Sequence, residues 1–304
     1  MSSPNEPKLT EIKFDEPLSK HTYYQIGGPA RRLVIPRSIA ELDTLGAEIA
    51  RTGEPYFILG KGSNVLASDQ GFSGTVLKLA KLDMTVEPRD GRVFTGASVP
   101  ISTLLRHAGE KGWGGFEFLS GIPGSVGGAV AMNAGTHLGE TKDLVERVHY
   151  WHAGTLREAT GSELKFSYRA NHFLPAGAIV VAAEWALRAD DPARVRSAID
   201  ETLQRRKGTQ PIDLPSCGSV FKNPREHGMH AWQVIEKLGL RGHRIGGAQF
   251  SEKHANFIVN QGGAKAQDVY RLIQTAKARA KTELGIDLQE EVKYLGVFVD
   301  KKKQ

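Results

Sequence analysis

Residues 121–135 read GIPGSVGGAVAMNAG, and five of these fifteen are glycine. No side chain in the run can be charged. The wider stretch Gly109–Gly139 holds ten of the chain's 34 glycines. Glycine is a poor helix former, so the sequence argues for a loop here although the length would suit a helix. Glycine at 121, 124, 127 and 128 strips side chains from successive turns and lets backbone approach a flat or charged ligand closely. Each N–H given to a charged oxygen contributes roughly 1.5–3 kcal/mol, so several together would hold a diphosphate without Lys or Arg. Pro123 stiffens the run, and Ser125 and Asn133 offer hydrogen bonds. The competing reading is a small-residue surface where a helix meets a sheet.

A second glycine-rich stretch, LGKGSNVLAS, covers Leu59–Ser68 after the strand-like run Tyr56–Leu59. Gly60 and Gly62 permit a tight turn with N–H groups facing outward, and Ser63 and Asn64 add polar donors. Such a nest suits phosphate. Neither common nucleotide fingerprint is present: residue 65 is valine where G-x-G-x-x-G needs glycine, and no GK[ST] follows. An ordinary strand-to-strand turn remains the alternative.

The 304 residues allow two or three domains. A hydrophobic content of 40% and a charged content of 24% are those of a soluble globular protein. No apolar run approaches the ~18–20 residues of a membrane span. The first twenty residues lack the apolar core of a secretory signal. A single cysteine, Cys217, excludes an intramolecular disulfide and disfavours a thiolate metal site. The expected compartment is the cytoplasm. The net charge of +6 favours anionic partners. Its Lys and Arg are scattered, however, which suits small phosphorylated ligands better than nucleic acid.

Strand-like runs cover Leu33–Ile35, Tyr56–Leu59, Thr75–Leu79, Arg92–Thr95, Ile179–Leu187, Phe257–Val259 and Val292–Val299. Helical patterns cover Ser38–Arg51, Ile101–Lys111, Pro192–Lys207, Trp232–Lys237 and Gln267–Leu284. In the last, Val269, Leu272, Ile273 and Ala276 fall on one face. The segment GTQPIDLP, Gly208–Pro215, is the best domain break. Mixed helices and strands imply an α+β or α/β protein.

Seven pieces, in this order, resemble the UDP-N-acetylenolpyruvoylglucosamine reductase family: TYYQIGGPA, LGKGSNVL, GIPGSVGGAVAMNAG, FSYRANHF, GSVFKNP, GGAQFSEKHANFIVN and LQEEVKYLG. The resemblance runs from about Thr22 to Gly296. It implies an α+β chain with a two-subdomain FAD-binding fold of the vanillyl-alcohol-oxidase type and an α+β substrate domain. The expected division is 1–80 and 81–206 for the flavin subdomains and 207–289 for the substrate domain, with 290–304 returning to the first. Implied cofactors are FAD and NADPH. The implied substrate is UDP-N-acetylglucosamine enolpyruvate, reduced to UDP-N-acetylmuramate for peptidoglycan synthesis.

The resemblance also assigns residues. Gly60, Lys61, Gly62, Ser63, Asn64, Val65 and Leu66 match one flavin loop. Gly121, Ile122, Pro123, Gly124, Ser125, Gly127, Gly128 and Ala129 match the other. Ser219 matches the proton donor, Arg169 the arginine that holds and polarises the substrate carboxylate, and Glu291 the third catalytic group. A guanidinium binds a carboxylate through two parallel bonds, which lysine cannot copy. Lys207, Asn223 and Tyr168 match substrate contacts. Glu290 stands where many members have proline. Only 49 residues separate Arg169 from Ser219. That leaves little room for the tyrosine-bearing excursion of longer members, so the chain resembles the shorter, type II form.

Cys217 is expected as a neutral wall residue and His254 as a core or supporting histidine. The histidine spacing suggests no metal site, and a monomer or weak oligomer is expected. Two rivals remain at this point. One is a sugar or alcohol oxidase on the same scaffold, with flavin linked covalently to His or Cys. The other is a basic nucleotide- or RNA-binding module without catalysis.

Overall fold

The computed structural model describes residues 10–299. Strands β1 (Glu11–Pro17), β2 (Pro29–Ile35), β3 (Tyr56–Leu59) and β5 (Phe72–Lys78) form a sheet of order β1-β2-β5-β3. β5 runs parallel to both β2 and β3, and helix α1 (Ile39–Thr52) makes the crossover. α1 begins at Ser38, whose hydroxyl accepts from the Glu41 N–H, and stops at Gly53 in the left-handed region. Leu42, Leu45 and Ile49 give it one buried face. Strand β4 (Val65–Ala67) lies outside this sheet.

β6 (Val86–Arg89), β7 (Arg92–Gly96), β8 (Val145–His152), β9 (Thr155–Thr160) and β10 (Ile179–Ala186) form an antiparallel sheet ordered β9-β8-β10-β7-β6. Helices α2 (Ile101–Lys111), α3 (Val126–Met132) and α4 (Pro192–Thr209) belong to this part of the chain. Trp151 of β8 and Ile179 and Val181 of β10 share one apolar cluster with α1. This joins the two sheets. Gly46 permits the approach, since a methyl there would lie 2.4 Å from the Trp151 ring. The Trp151 indole donates to Asp43 at 2.6 Å.

A third sheet, order β11-β14-β13-β12, holds β11 (Ser216–Ser219), β12 (Arg244–Ile245), β13 (Ala248–Phe250) and β14 (Phe257–Asn260). Helices α5 (Ala231–Lys237) and α6 (Ala266–Leu284) bury Val234, Ile235, Val269, Leu272, Ile273 and Ala276 in the same core. Last, β15 (Lys293–Leu295) pairs in parallel with β4.

The structure departs from the sequence reading in several places. The apolar-run criterion passes over β1, β8 and β9, whose alternations are partly charged, and over the short strands β4, β6, β11, β12 and β13. Val292–Val299 shortens to a three-residue strand. The glycine run is only partly loop, because α3 forms through Gly127 and Gly128. Capping explains it: the Ser125 hydroxyl accepts from the Gly128 N–H, and Asn133 ends the helix at φ 43°. Val126, Ala129 and Val130 then bury one side.

Candidate flavin site

The two glycine stretches face each other across one cavity. A methyl on Gly60 would lie 3.3 Å from the Ser125 hydroxyl oxygen, and one on Gly124 would lie 3.3 Å from that of Ser63. Both readings of the glycines hold in part. Gly127 is a packing glycine, with Ala97 Cβ 2.9 Å from any added methyl. Gly60, Gly124 and Gly128 meet only those hydroxyls, so their open sides face the cavity. The N–H groups of Lys61, Gly62, Ser63, Gly124 and Ser125 donate no backbone hydrogen bond among the described residues. That is the arrangement an anion needs. The same lining also has an apolar part, with Phe57, Ile58, Leu79, Ala131 and Val180. A flavin dinucleotide has both chemistries: a diphosphate for the loops and flat rings for the apolar wall.

Arg169, Ser219 and Glu291, far apart in sequence, line this same cavity. Arg169 sits in the turn of a small hairpin, between Phe166–Ser167 and Ala170–Asn171. Its φ of 56° is left-handed, which costs a residue with Cβ roughly 1–2 kcal/mol. Its Nε reaches Glu291 Oε1 at 3.0 Å, and its Nη2 donates to the Gly135 carbonyl at 2.7 Å. Nη1 is buried with no hydrogen-bond partner, 3.7 Å from a Glu140 oxygen. That arm therefore has an ion pair with Glu140 and no hydrogen bond.

Glu291 is placed by its backbone. Its N–H donates to the Val220 carbonyl at 2.8 Å, and its carbonyl accepts from the Asn64 side chain at 3.0 Å. Burial pushes its carboxyl pKa up, and the charges of Arg169, Lys222 and Lys293 pull it back only in part. Ser219 ends β11 opposite Phe257, after an irregular stretch with Gly218 at φ 78°. Cys217 is buried, and burial pushes its thiol up to about 12, so it is a neutral wall at pH 7. His254 is half-buried and packs edge-on against Phe257 at 4.9 Å.

Not every expected residue reaches the cavity. Gly60–Val65, Ile122–Ser125 and Gly127–Ala129 line it. Leu66 instead lies in the core, and Gly121 lines a neighbouring cleft. Asn64 spends its amide on Glu291, and Ser125 caps α3. Lys207 is exposed, outside the cavity lining, and its carbonyl accepts from Lys253. The Asn223 side chain caps α5 through the Ala231 N–H at 3.0 Å, and its own N–H points at the Tyr168 hydroxyl at 3.4 Å. Tyr168 lies under the Arg225 guanidinium, 3.7 Å from ring centre to charge.

The sequence reading missed Arg206 and Lys293, which both line the cavity. Arg206 donates only to neutral oxygens, those of Ser120 and Gln210. Burial, then the charge of Arg169, pulls its pKa down to about 10. A signal existed: Val195, Ile199 and Leu203 fall at helical spacing, and Arg206 continues that inward stripe.

A family model described as UDP-N-acetylenolpyruvoylglucosamine reductase, C-terminal domain, matches residues 210–295, and one described as FAD binding domain matches residues 30–159. The reductase of Geotalea uraniireducens is 41% identical over 94% of this chain and 95% of its own length. That of Anaeromyxobacter dehalogenans is 43% identical over 93% of this chain and 85% of its own. This chain belongs to the UDP-N-acetylenolpyruvoylglucosamine reductase family. The crystal structure of the Thermus caldophilus reductase superposes with a TM-score of 0.82 at 35% identity, covering 95% of this chain and all of that one. Membership makes the protein an FAD-dependent oxidoreductase of α+β fold, and it sets aside the non-catalytic RNA-binding rival.

Proposed function

We propose that the protein reduces UDP-N-acetylglucosamine enolpyruvate to UDP-N-acetylmuramate, with NADPH as the reductant, in cytoplasmic peptidoglycan precursor synthesis. FAD, when bound between the two glycine loops and the apolar lining, would supply the hydride chemistry that links NADPH to C3 of the enolpyruvyl group. The chain's own residues do the rest. The Nη1 of Arg169, which makes no hydrogen bond here, turns to the enolpyruvyl carboxylate and stabilises the enolate charge that develops there. Ser219 gives its proton to C2, the carbon left basic after hydride arrives. Glu291 holds Arg169 through Nε and so aims the guanidinium. The loops at Gly60–Asn64, Ile122–Ser125 and Gly127–Ala129 would hold the flavin diphosphate, with Arg206 as a cation in the same lining. Tyr168, Asn223 and Lys207, which lie outside the cavity lining, would contact the nucleotide sugar. The proposed division is 1–80 with 290–304, 81–206 and 207–289; its supports are the three sheets, its 206/207 boundary falls inside α4, and 1–9 and 300–304 lie outside the described residues.

The observation that carries this reading is the convergence of Arg169, Ser219 and Glu291 on one cavity, with an Arg169 Nη1 that makes no hydrogen bond and pairs with Glu140 only at 3.7 Å. The test is spectral. A purified protein with a flavin absorbance that bleaches anaerobically with NADPH, and recovers on adding the enolpyruvyl nucleotide sugar, supports both half-reactions. Bleaching without recovery discards the substrate. A flavin that stays attached after denaturation favours the oxidase rival.

A further inference from the structure

The extended segment that carries Glu291 alternates between two environments. Glu291 and Lys293 line the flavin cavity. Leu288 and Val292 are buried on the other side, in the core that α6 shares with the third sheet. Glu290 falls between them at the same alternation, opposite the buried Phe221 across an antiparallel bridge. An acid on a core-facing side needs a partner, and α6 supplies two. Lys277 Nζ donates to Glu290 Oε1 at 2.6 Å, and the Gln274 amide donates to the same oxygen at 3.4 Å. The Glu290 side chain is 15% exposed, so the pair is largely withdrawn from water. Such a pair adds little net stability, because taking both charges out of water offsets their attraction. Removing one partner is another matter, since the charge left behind must regain water. Glu290 can do so only by twisting out of its bridge with Phe221. That same bridge is closed by the Glu291 N–H, which donates to the Val220 carbonyl. A twist at residue 290 therefore reaches the carboxylate that stands 3.0 Å from Arg169 Nε.

We propose that Lys277 is a positioning residue for catalysis: by holding Glu290 against α6 it keeps the next carboxylate, Glu291, on the Arg169 guanidinium. The inference rests on the reading that Arg169 serves the enolpyruvyl carboxylate. Glu290 is also the acid nearest in sequence to Glu291, and α6 keeps it occupied on the far side of the segment, where it does not compete for Arg169.

The experiment compares the flavin-loaded wild type with Lys277→Met, Glu290→Gln and the charge-keeping Lys277→Arg. Neither Lys277 nor Glu290 lines the flavin cavity, so all should keep the flavin spectrum. Reoxidation of reduced flavin by saturating enolpyruvyl nucleotide sugar should slow about tenfold in Lys277→Met and Glu290→Gln, the scale of a small misplacement of a catalytic group. The half-saturating concentration should move less than about threefold, and bleaching by NADPH should stay within about twofold. Lys277→Arg should match the wild type within about threefold in every respect. A merely structural ion pair would lower Tm and slow both half-reactions alike. Hydrogen exchange read by mass spectrometry follows the same segment without substrate: residues 286–295 should exchange about tenfold faster in Lys277→Met and Glu290→Gln and not in Lys277→Arg. The proposal falls if both disruptive variants reoxidise at the wild-type rate, if both half-reactions slow alike, or if exchange is unchanged. Wild-type flavin that the enolpyruvyl nucleotide sugar fails to reoxidise overturns the functional reading instead, and the exchange comparison still decides whether Lys277 holds this segment.

Discussion

Replacing Arg169 by lysine tests the catalytic arrangement most directly, because it keeps the charge and removes the geometry. The guanidinium now serves three directions at once: Glu291 through Nε, the Gly135 carbonyl through Nη2, and Glu140, 3.7 Å away, through an Nη1 that makes no hydrogen bond. Lysine offers one nitrogen on a differently shaped stem and cannot span all three. An ammonium that stays with the buried Glu291 carboxylate abandons the substrate carboxylate, and one that reaches for substrate leaves Glu291 uncompensated. A hydrogen bond between charged groups contributes roughly 1.5–3 kcal/mol. At about 1.4 kcal/mol per factor of ten, losing one in the transition state slows the oxidative half-reaction by roughly 10–150-fold. Flavin reduction by NADPH does not use the substrate carboxylate and should change by less than about threefold. The assay is anaerobic stopped flow, following flavin absorbance as the reduced protein meets the enolpyruvyl nucleotide sugar. Reoxidation of Arg169→Lys at the wild-type rate and half-saturation would refute the assignment of Nη1 to the carboxylate.

Three further outcomes are expected. Ser219→Ala should retain NADPH-driven bleaching while recovery with substrate slows by roughly 10²–10⁴-fold, the contribution of a positioned general acid; full turnover removes Ser219 from that role. Asp69 accepts the Ala266 and Gln267 N–H groups at 2.8 and 3.0 Å, so one carboxylate from the first sheet region caps α6. Asp69→Ala should cost about 1–2 kcal/mol, a fall in Tm of roughly 2–8 °C by calorimetry, and an unshifted Tm would contradict it. Burial, with help from the charges of Arg241 and Arg206, holds the His254 imidazole pKa below its ordinary value of 6.5. Below that value the unfolded chain takes up a proton that the folded one resists, so this residue withdraws stability as pH falls through 6.5. His254→Gln should therefore lose less stability than the wild type between pH 7 and pH 5.5 in urea titrations, and parallel losses would exclude the effect.

What the sequence showed and what it hid follow from the range of the interactions involved. Helices with a clean apolar stripe were legible, and α2 has the limits its pattern predicts, Ile101–Lys111. Their caps and faces are local. β8 and β9 were not, because a strand such as Val145–His152 alternates charged, aromatic and aliphatic residues whose burial depends on β10. The glycine run misled for a related reason. Propensity counts each glycine as a cost, but the cost of Gly127 is offset by the close contact it allows with Ala97, on a distant strand end. In the candidate site, motif order located the residues and could not apportion their hydrogen bonds. Asn64 has the polar amide a phosphate nest would use, yet that amide holds the carbonyl of Glu291, 227 residues away. Arg206 shows the reverse case. Beside the exposed Lys207 it reads as one of three charges ending a helix, and only the turn of α4 decides which of them faces the cavity. A one-residue shift along a helix rotates a side chain by roughly 100°, enough to exchange a solvated cation for a buried one. Lys207, assigned by spacing through a loop of variable length, faces solvent, whereas Arg169, Ser219 and Glu291 reach the cavity lining from a hairpin turn, the end of β11 and the bridge at Glu290.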